Sequence, residues 1–401
     1  MVETFEGGVA TPKGYTAAGQ YVGIKAPGRG LDLALVVSDR PATAAAVFTT
    51  NKAQAAPVVV SKAHLAVSQG TMRAVIVNSG CANACTGAVG MQDAREMASL
   101  TAQLVGCPAE QVLVASTGVI GVNLKMDKIR EGLPTTFASC AADQGPAAAR
   151  AIMTTDPFPK EAAARLSING SVVTVGGMCK GSGMIEPMMA TMLGFITTDA
   201  AVPQPILARV LKQVVDDTFN AITVDGECST NDCVMMLANG ASGVTIDDAS
   251  LDAFVEAVRA VCLPLALGIV RGGEGATKLV TVNVTGAKSS EEARRCAKAI
   301  ANSPLVKTAI HGGDPNWGRL IAVAGRAGVS FELENSEVTI GPIVLFQGGR
   351  PFDEAAPQAA AYLQHKEIIV GVNLGVGQAS STVWTCDLSA DYVRINAEYR
   401  T

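Results

Sequence analysis

The sequence predicts a mixed α/β protein assembled from closely packed layers, on three observations. Short apolar, strand-like segments recur between segments whose apolar residues repeat every three to four positions. Hydrophobic residues make up 48% of the 401, enough for a large core, and 41 glycines against 4% aromatics favour close layers joined by many turns. The length allows two or three domains or one large α/β body.

The elements follow in chain order. RAVIVNSG (73–80) reads as a strand ending in a polar turn, and QDAREMASLTAQLVG (92–106) as a helix closed by Gly106. VLVAST (112–117) and SVVTVGG (171–177) read as strands, with the proline-bearing TTDPFPKEAAA (154–164) as an exposed loop between them. In PILARVLKQVVDDTF, Ile206, Leu207, Val210, Leu211, Val214 and Val215 fall at helical spacing. LDAFVEAVRAV repeats that pattern, TKLVTVNVTG (277–286) reads as a strand, and SSEEARRCAKAIA as a helix with Ser290 as N-cap.

Charge narrows the function. A net charge of −5 with no basic block lacks the electrostatic footprint of a nucleic-acid binder, so the expected partner is a small molecule. The N-terminal MVETFEGGVATPKG has early acids and no apolar core, unlike a secretory signal, and VCLPLALGIV (261–270) is too short to span a bilayer. A cytoplasmic protein with no membrane partner is expected. Ten scattered cysteines without a CxxC pair or a clustered histidine predict neither metal nor disulfides; most read as small core residues.

Phosphate-loop patterns fail on spacing, and a Ser-His-Asp triad, which distant residues can assemble in space, has no motif behind it. In GGMCKGSGMIEP, Lys180 is followed by Gly181 where a phosphate loop needs Ser or Thr, and GGEGATK (272–278) fails the same test. His64, His311 and His365 lie far apart without a nucleophile motif. An enzyme without a histidine base can use an N-terminal threonine, whose own α-amino group accepts the hydroxyl proton. EPMMATMLGF (186–195) sets Thr191 in an apolar run. From the residues alone it is either a packed threonine or one freed by cutting the Ala190–Thr191 bond.

The surrounding residues carry a resemblance. KGSGMIEPMMATMLGFITTDA (180–200) resembles the self-cleaving segment of the ornithine acetyltransferase family, also called the glutamate N-acetyltransferase or ArgJ family. The likeness recurs in order along the chain: VFTTN (47–51), VNSGCANACTG (77–87), STGVIG (116–121), AIMTTD (151–156), STND (229–232), GEGATK (273–278), SPLVKTAI with DPNWGR (303–319) and the final INAEYRT. Three positions depart from the usual pattern: Cys81, Met188 and the run His311-Gly312-Gly313.

The resemblance implies a layered α-β-β-α sandwich, self-cleaved into an α chain (1–190) and a β chain (191–401), pairing as an α2β2 heterotetramer. Thr191 would be the nucleophile, taking the acetyl group from N2-acetylornithine and passing it to glutamate. Thr117 and Gly118 would form the oxyanion hole, with Ala190 and Thr191 flanking the cut. Thr154 (Thr155 is adjacent), Lys180, Thr191, Glu274, Asn396 and Thr401 would bind substrate, and the chain end would be ordered. A cation at 180 suits an α-carboxylate and an anion at 274 a substrate ammonium. Without the resemblance both would read as solvated surface charges. No metal or organic cofactor is required; acetyl-CoA is a possible co-substrate. The rival readings are a related N-terminal-nucleophile amidohydrolase or aminopeptidase and an uncleaved binding protein.

Overall fold

The structure, a computed structural model, describes residues 2–186 and 192–398. It forms two compact units: residues up to Asn220 with Glu227–Ile269, and Ala221–Gly226 with the chain from Val270 onward. Ala190, Thr191 and Thr401 lie outside the described residues.

The first unit is built on nine strands: β1 (Val2–Phe5), β2 (Tyr15–Gln20), β3 (Leu33–Phe48), β4 (Thr71–Cys81), β5 (Val112–Val119), β6 (Lys160–Ile168), β7 (Ser171–Lys180), β8 (Leu193–Thr198) and β9 (Cys233–Ala238). Their order is β1-β6-β7-β8-β9-β3-β4-β5, with β2 paired to β3. The sixteen-residue β3 serves two neighbourhoods: Leu33–Val37 pairs β4 on one side of an irregularity, and Thr43–Phe48 pairs β9 on the other.

Period-two alternation sorts the side chains into layers. Ala34, Val36, Val75, Val77, Leu113 and Ala115 from β3–β5 share one core with Met178, Leu193, Phe195, Met235 and Leu237 from β7–β9, a sheet-on-sheet interior. The opposite face of β3–β5, with Leu35, Ala74, Ile76 and Val114, packs on α1 (Ala56–Val67), α2 (Gly87–Val105) and α3 (Met126–Ala138). The short helix α4 (Gly145–Ala151) joins the interior through Ala148, Ala149 and Ala151. On the far side, α5 (Gln204–Asp217) packs on β3 and β9. Beneath β7 lies α6 (Leu251–Arg271), where a Cβ on Gly177 would meet Leu265 and Val261 at 3.0 Å. Those four layers, helix, sheet, sheet, helix, are the expected α-β-β-α sandwich.

The second unit carries a six-stranded sheet in the order β13-β12-β11-β14-β10-β15. Its strands are β10 (Leu279–Ala287), β11 (Glu337–Ile340), β12 (Ile343–Gln347), β13 (Arg350–Pro351), β14 (Glu367–Asn373) and β15 (Ala379–Cys386). Its core joins Val280, Val282, Ile368 and Val370 to α7 (Ser290–Ala301), α8 (Pro304–Gly312), α9 (Trp317–Arg326) and α10 (Ala356–Tyr362). Helix α11 (Ala390–Glu398) closes the described chain.

Three expectations need correction. The N-cap of α7 is Ser289, whose hydroxyl accepts from the Glu292 N–H, one residue before the expected Ser290. The expected loop 154–164 stops at Pro159, because Lys160 already begins β6 with its side chain buried. The apolar run at 261–270 belongs to α6, which at 21 residues is long and apolar enough to cross a bilayer by length and composition, with half of its apolar window buried in the protein. Pro264 does not end that helix.

Candidate acyl-transfer site

The first unit gathers the sequence motifs of its own stretch of chain. Strands β4 and β5 run parallel, pairing Ser79 with Thr117 and Gly80 with Gly118. Behind this pair lies a polar scaffold. Ser116 Oγ donates to Asn78 Oδ1 at 2.6 Å, and Asn78 Nδ2 to the Cys81 carbonyl at 2.9 Å. Asn231 Nδ2 donates to the carbonyls of Ala82 (2.6 Å) and Ser116 (2.9 Å). Thr49 Oγ1 donates to the Ser229 carbonyl, and Ser79 Oγ to that of Ala151. Residues from VFTTN, VNSGCANACTG, STGVIG, AIMTTD and STND therefore interlock.

Thr117 and Gly118 end the buried part of β5 on this scaffold. Thr117 is buried, and Gly118 has φ +127°, a conformation that side chains rarely adopt. Space gives a second reason for glycine. A Cβ there would lie 2.6 Å from the Cys81 nitrogen and 2.7 Å from the Gly80 Cα. The end of β5 is thereby held against β4, and backbone held in this way is what fixed oxyanion donors require.

The next contacts lead to Thr154 and Lys180. A Cβ on Gly80 would meet Lys25 Cγ at 2.8 Å, so Lys25 lies directly against the turn. Its Nζ donates to the Leu31 (2.6 Å) and Met153 (2.8 Å) carbonyls. The buried Asp32 accepts from the backbone N–H groups of Val22, Gly23 and Lys25, fixing the turn that carries this lysine. Burial pushes the Lys25 ammonium down to about 8, opposed by Asp32 and Asp156 and assisted by Lys180. Asp156 accepts from Thr154 N–H, Gly181 N–H and Lys160 Nζ. Burial alone would raise its carboxyl, but Lys160, Lys180 and these hydrogen bonds outweigh burial and hold it below the ordinary carboxylate value. Gly118, Thr154 and Gly181, the last beside Lys180, thus join one contact network.

Glu274 and Asn396 meet in the second unit, where Asn396 Nδ2 donates to Glu274 Oε2 at 2.9 Å. Glu274 is buried, at 7% exposure, which corrects the solvated reading of that charge. Its turn is pinned by Ser389 Oγ, which donates to the Gly275 carbonyl at 2.6 Å, and by Asp387. Asp387 accepts from the N–H groups of Thr277 and Lys278 and from Thr277 Oγ1, and its Oδ2 lies 2.6 Å from His311 Nδ1. Burial would raise the Asp387 carboxyl; the bonds from Thr277, His311 and the amides bring it below its usual value. Lys180 is half-buried at the end of β7.

Sequence reasoning missed Lys25, Asp32, Asp156, Lys160, Asn78, Asn231, His311 and Asp387 as parts of these networks. Asn78, Asp156 and Asn231 stand inside the quoted motifs, which was a usable signal. Lys25, Asp32, Lys160 and Asp387 stand in no motif, and nothing in their neighbours marks them as buried. Among the described residues no group of three or more His, Cys, Asp or Glu is placed to hold a metal ion.

Comparisons with known proteins point to one family. The model of the ArgJ family matches residues 16–401. A protein from Symbiobacterium thermophilum called arginine biosynthesis bifunctional protein ArgJ is 48% identical over 406 aligned residues, covering all of both chains. The protein of that name from Geobacillus stearothermophilus is 48% identical over 399, covering 99% of this chain and 97% of its own. The crystal structure of arginine biosynthesis bifunctional protein argJ from Bacillus halodurans superposes with a TM-score of 0.51 at 44% identity, covering 52% of this chain and all of that one.

Proposed function

The chain belongs to the ArgJ family, and from that premise we propose that it is an acetyltransferase of arginine biosynthesis that moves an acetyl group from N2-acetylornithine to glutamate. The observation that carries the reading is the network that runs from Gly118 through Gly80 and Lys25 to the Met153–Thr154 peptide, and through Asp156 to Gly181, the neighbour of Lys180. A strand end held in place for an oxyanion and a cation, Lys180, for an α-carboxylate are what transfer between two amino acids requires. In the second unit the buried Glu274, oriented by Asn396, supplies an anion suited to the substrate ammonium.

In this reading the Ala190–Thr191 bond is cut, leaving residues 1–190 and 191–401 as two chains. The freed Thr191 amine takes the hydroxyl proton, the hydroxyl attacks the acetyl carbonyl, and Thr117 and Gly118 stabilise the oxyanion. The Thr191 ammonium returns that proton to the departing ornithine amine; the glutamate amine then attacks the acetyl-enzyme ester, and its proton passes through the Thr191 amine to the released hydroxyl.

Both relatives are called bifunctional, which supports a second acetyl donor to glutamate, in this reading acetyl-CoA. The processed chains would assemble as α2β2, a mass that sedimentation reads directly. The deciding experiment is a transfer assay with N2-acetylornithine and glutamate beside a denaturing gel. The expected result is acetylglutamate from a protein of two fragments, with Thr191→Ala inactive and full-length. Release of free acetate irrespective of glutamate would make the protein a hydrolase and overturn the reading.

A further inference from the structure

We propose that Asp156 is a positioning residue of the transfer site, a single buried carboxylate that sets the Thr154 peptide in register with the Lys180–Gly181 end of β7. The inference rests on the functional reading above for what those two segments bind.

Each oxygen of Asp156 serves a different piece of chain. Oδ2 accepts from the Thr154 N–H at 3.0 Å; Oδ1 accepts from the Gly181 N–H at 2.8 Å and from Lys160 Nζ at 2.6 Å. The Met153 carbonyl belongs to the same peptide unit as the Thr154 N–H, and Lys25 Nζ donates to it at 2.8 Å. One peptide plane is thus gripped by an ammonium at its oxygen and a carboxylate at its nitrogen. Two rigid hydrogen bonds define its orientation far better than either alone.

The counter-ion is built in as firmly. The Asp156 and Lys160 side chains are 0% and 2% exposed. Lys160 leans on α6, where a Cβ on Gly268 would lie 3.4 Å from its Cγ. Buried ion pairs often stabilise no better than apolar residues of the same volume, whereas breaking one strongly destabilises. A role in geometry accounts for this pair better than one in stability. The far partner, Gly181, directly follows Lys180, so the carboxylate bonds to both segments to which the functional reading assigns substrate contacts.

The test separates positioning from stability. Asp156→Asn with Lys160→Met keeps the volume and removes both charges. An amide has one accepting oxygen, so it can serve only one of the two segments. Asp156→Asn alone should lower the thermal midpoint by stranding the Lys160 ammonium, and adding Lys160→Met should recover the part owed to that charge. The KM for N2-acetylornithine and for glutamate should nonetheless stay raised about tenfold or more, and amide exchange at Thr154 or Gly181 should stay accelerated. Recovery of wild-type KM together with the midpoint would overturn the proposal. A second measurement needs no variant: unprotected exchange of the Thr154 amide in the wild-type protein would overturn it too. Wild-type protein that transfers no acetyl group would instead refute the functional reading, and the exchange data would then decide the clamp alone.

Discussion

Gly118 stands opposite Gly80 in the parallel pairing of β4 and β5, so close that a Cβ on Gly118 would come within 2.7 Å of the Gly80 Cα. Two glycines at one register let the strands meet where a side chain would separate them. Gly118→Ala should therefore lose about 1–3 kcal/mol of stability from its positive φ alone, with the collision adding to it. The thermal midpoint should fall by several degrees and acetyl transfer should collapse. An alanine variant with wild-type midpoint and turnover would show that the close approach has slack.

Thr117→Ala should act differently. On the proposed reading Thr117 donates to the oxyanion, an interaction made only in the transition state, so kcat should drop by about 100-fold or more while KM holds. Steady-state kinetics with either substrate varied would show this. A raised KM with unchanged kcat would assign Thr117 to ground-state binding.

The Glu274–Asn396 contact predicts a graded pair. Glu274→Gln keeps shape and loses charge, and a hydrogen bond to a charged group contributes about 1.5–3 kcal/mol, so KM for N2-acetylornithine should rise roughly 10- to 100-fold. Asn396→Ala should cost less, because it misorients the carboxylate without discharging it. In the double variant the two losses should add to less than their sum, as expected for touching residues. Fully additive losses would mean that the 2.9 Å bond does not orient the carboxylate during binding.

Lys25 predicts a pH dependence with a definite sign. Its folded-state value of about 8 lies below the ordinary lysine value, so the unfolded chain binds more protons between the two. Stability should therefore rise with pH from about 8 toward about 10.5, the window in which the folded lysine is neutral and the unfolded one still charged. Below pH 8 both states are protonated and this contribution is flat. Urea midpoints measured across that range should climb more steeply in wild type than in Lys25→Met. Parallel curves would place the lysine's titration elsewhere.

How much of this was legible depended on whether the information was local. Gly106 closing α2, the α5 face from Leu207 to Val215 and strands β4, β5, β7 and β10 all follow from periodicity and caps that a short window contains. Ser289 rather than Ser290 at the α7 N-cap is an ambiguity of two adjacent serines, settled by which hydroxyl reaches the N–H three residues on. Loop 154–164 misled because prolines report exposure at 157 and 159, whereas the burial of Asp156 and Lys160 is fixed by β7 and α6, far away in sequence. The candidate site was legible only through motif resemblance. Asp32 and Asp387 hold backbone amides near Lys25 and Glu274 from positions whose neighbours carry no signal.

The sheet order gives the proposed cut an unusual outcome. Strands β8 and β9 follow the Ala190–Thr191 bond, yet they sit between β7 and β3, both of which precede it. Severing that bond would leave two polypeptides woven through each other rather than two bodies side by side. Neither could be withdrawn without opening hydrogen-bonded ladders on both flanks, so separation of the pieces and loss of the native sheet would be one event. The break would be irreversible in chemistry and almost invisible in mechanics: a new amino terminus inside a fabric that keeps every thread.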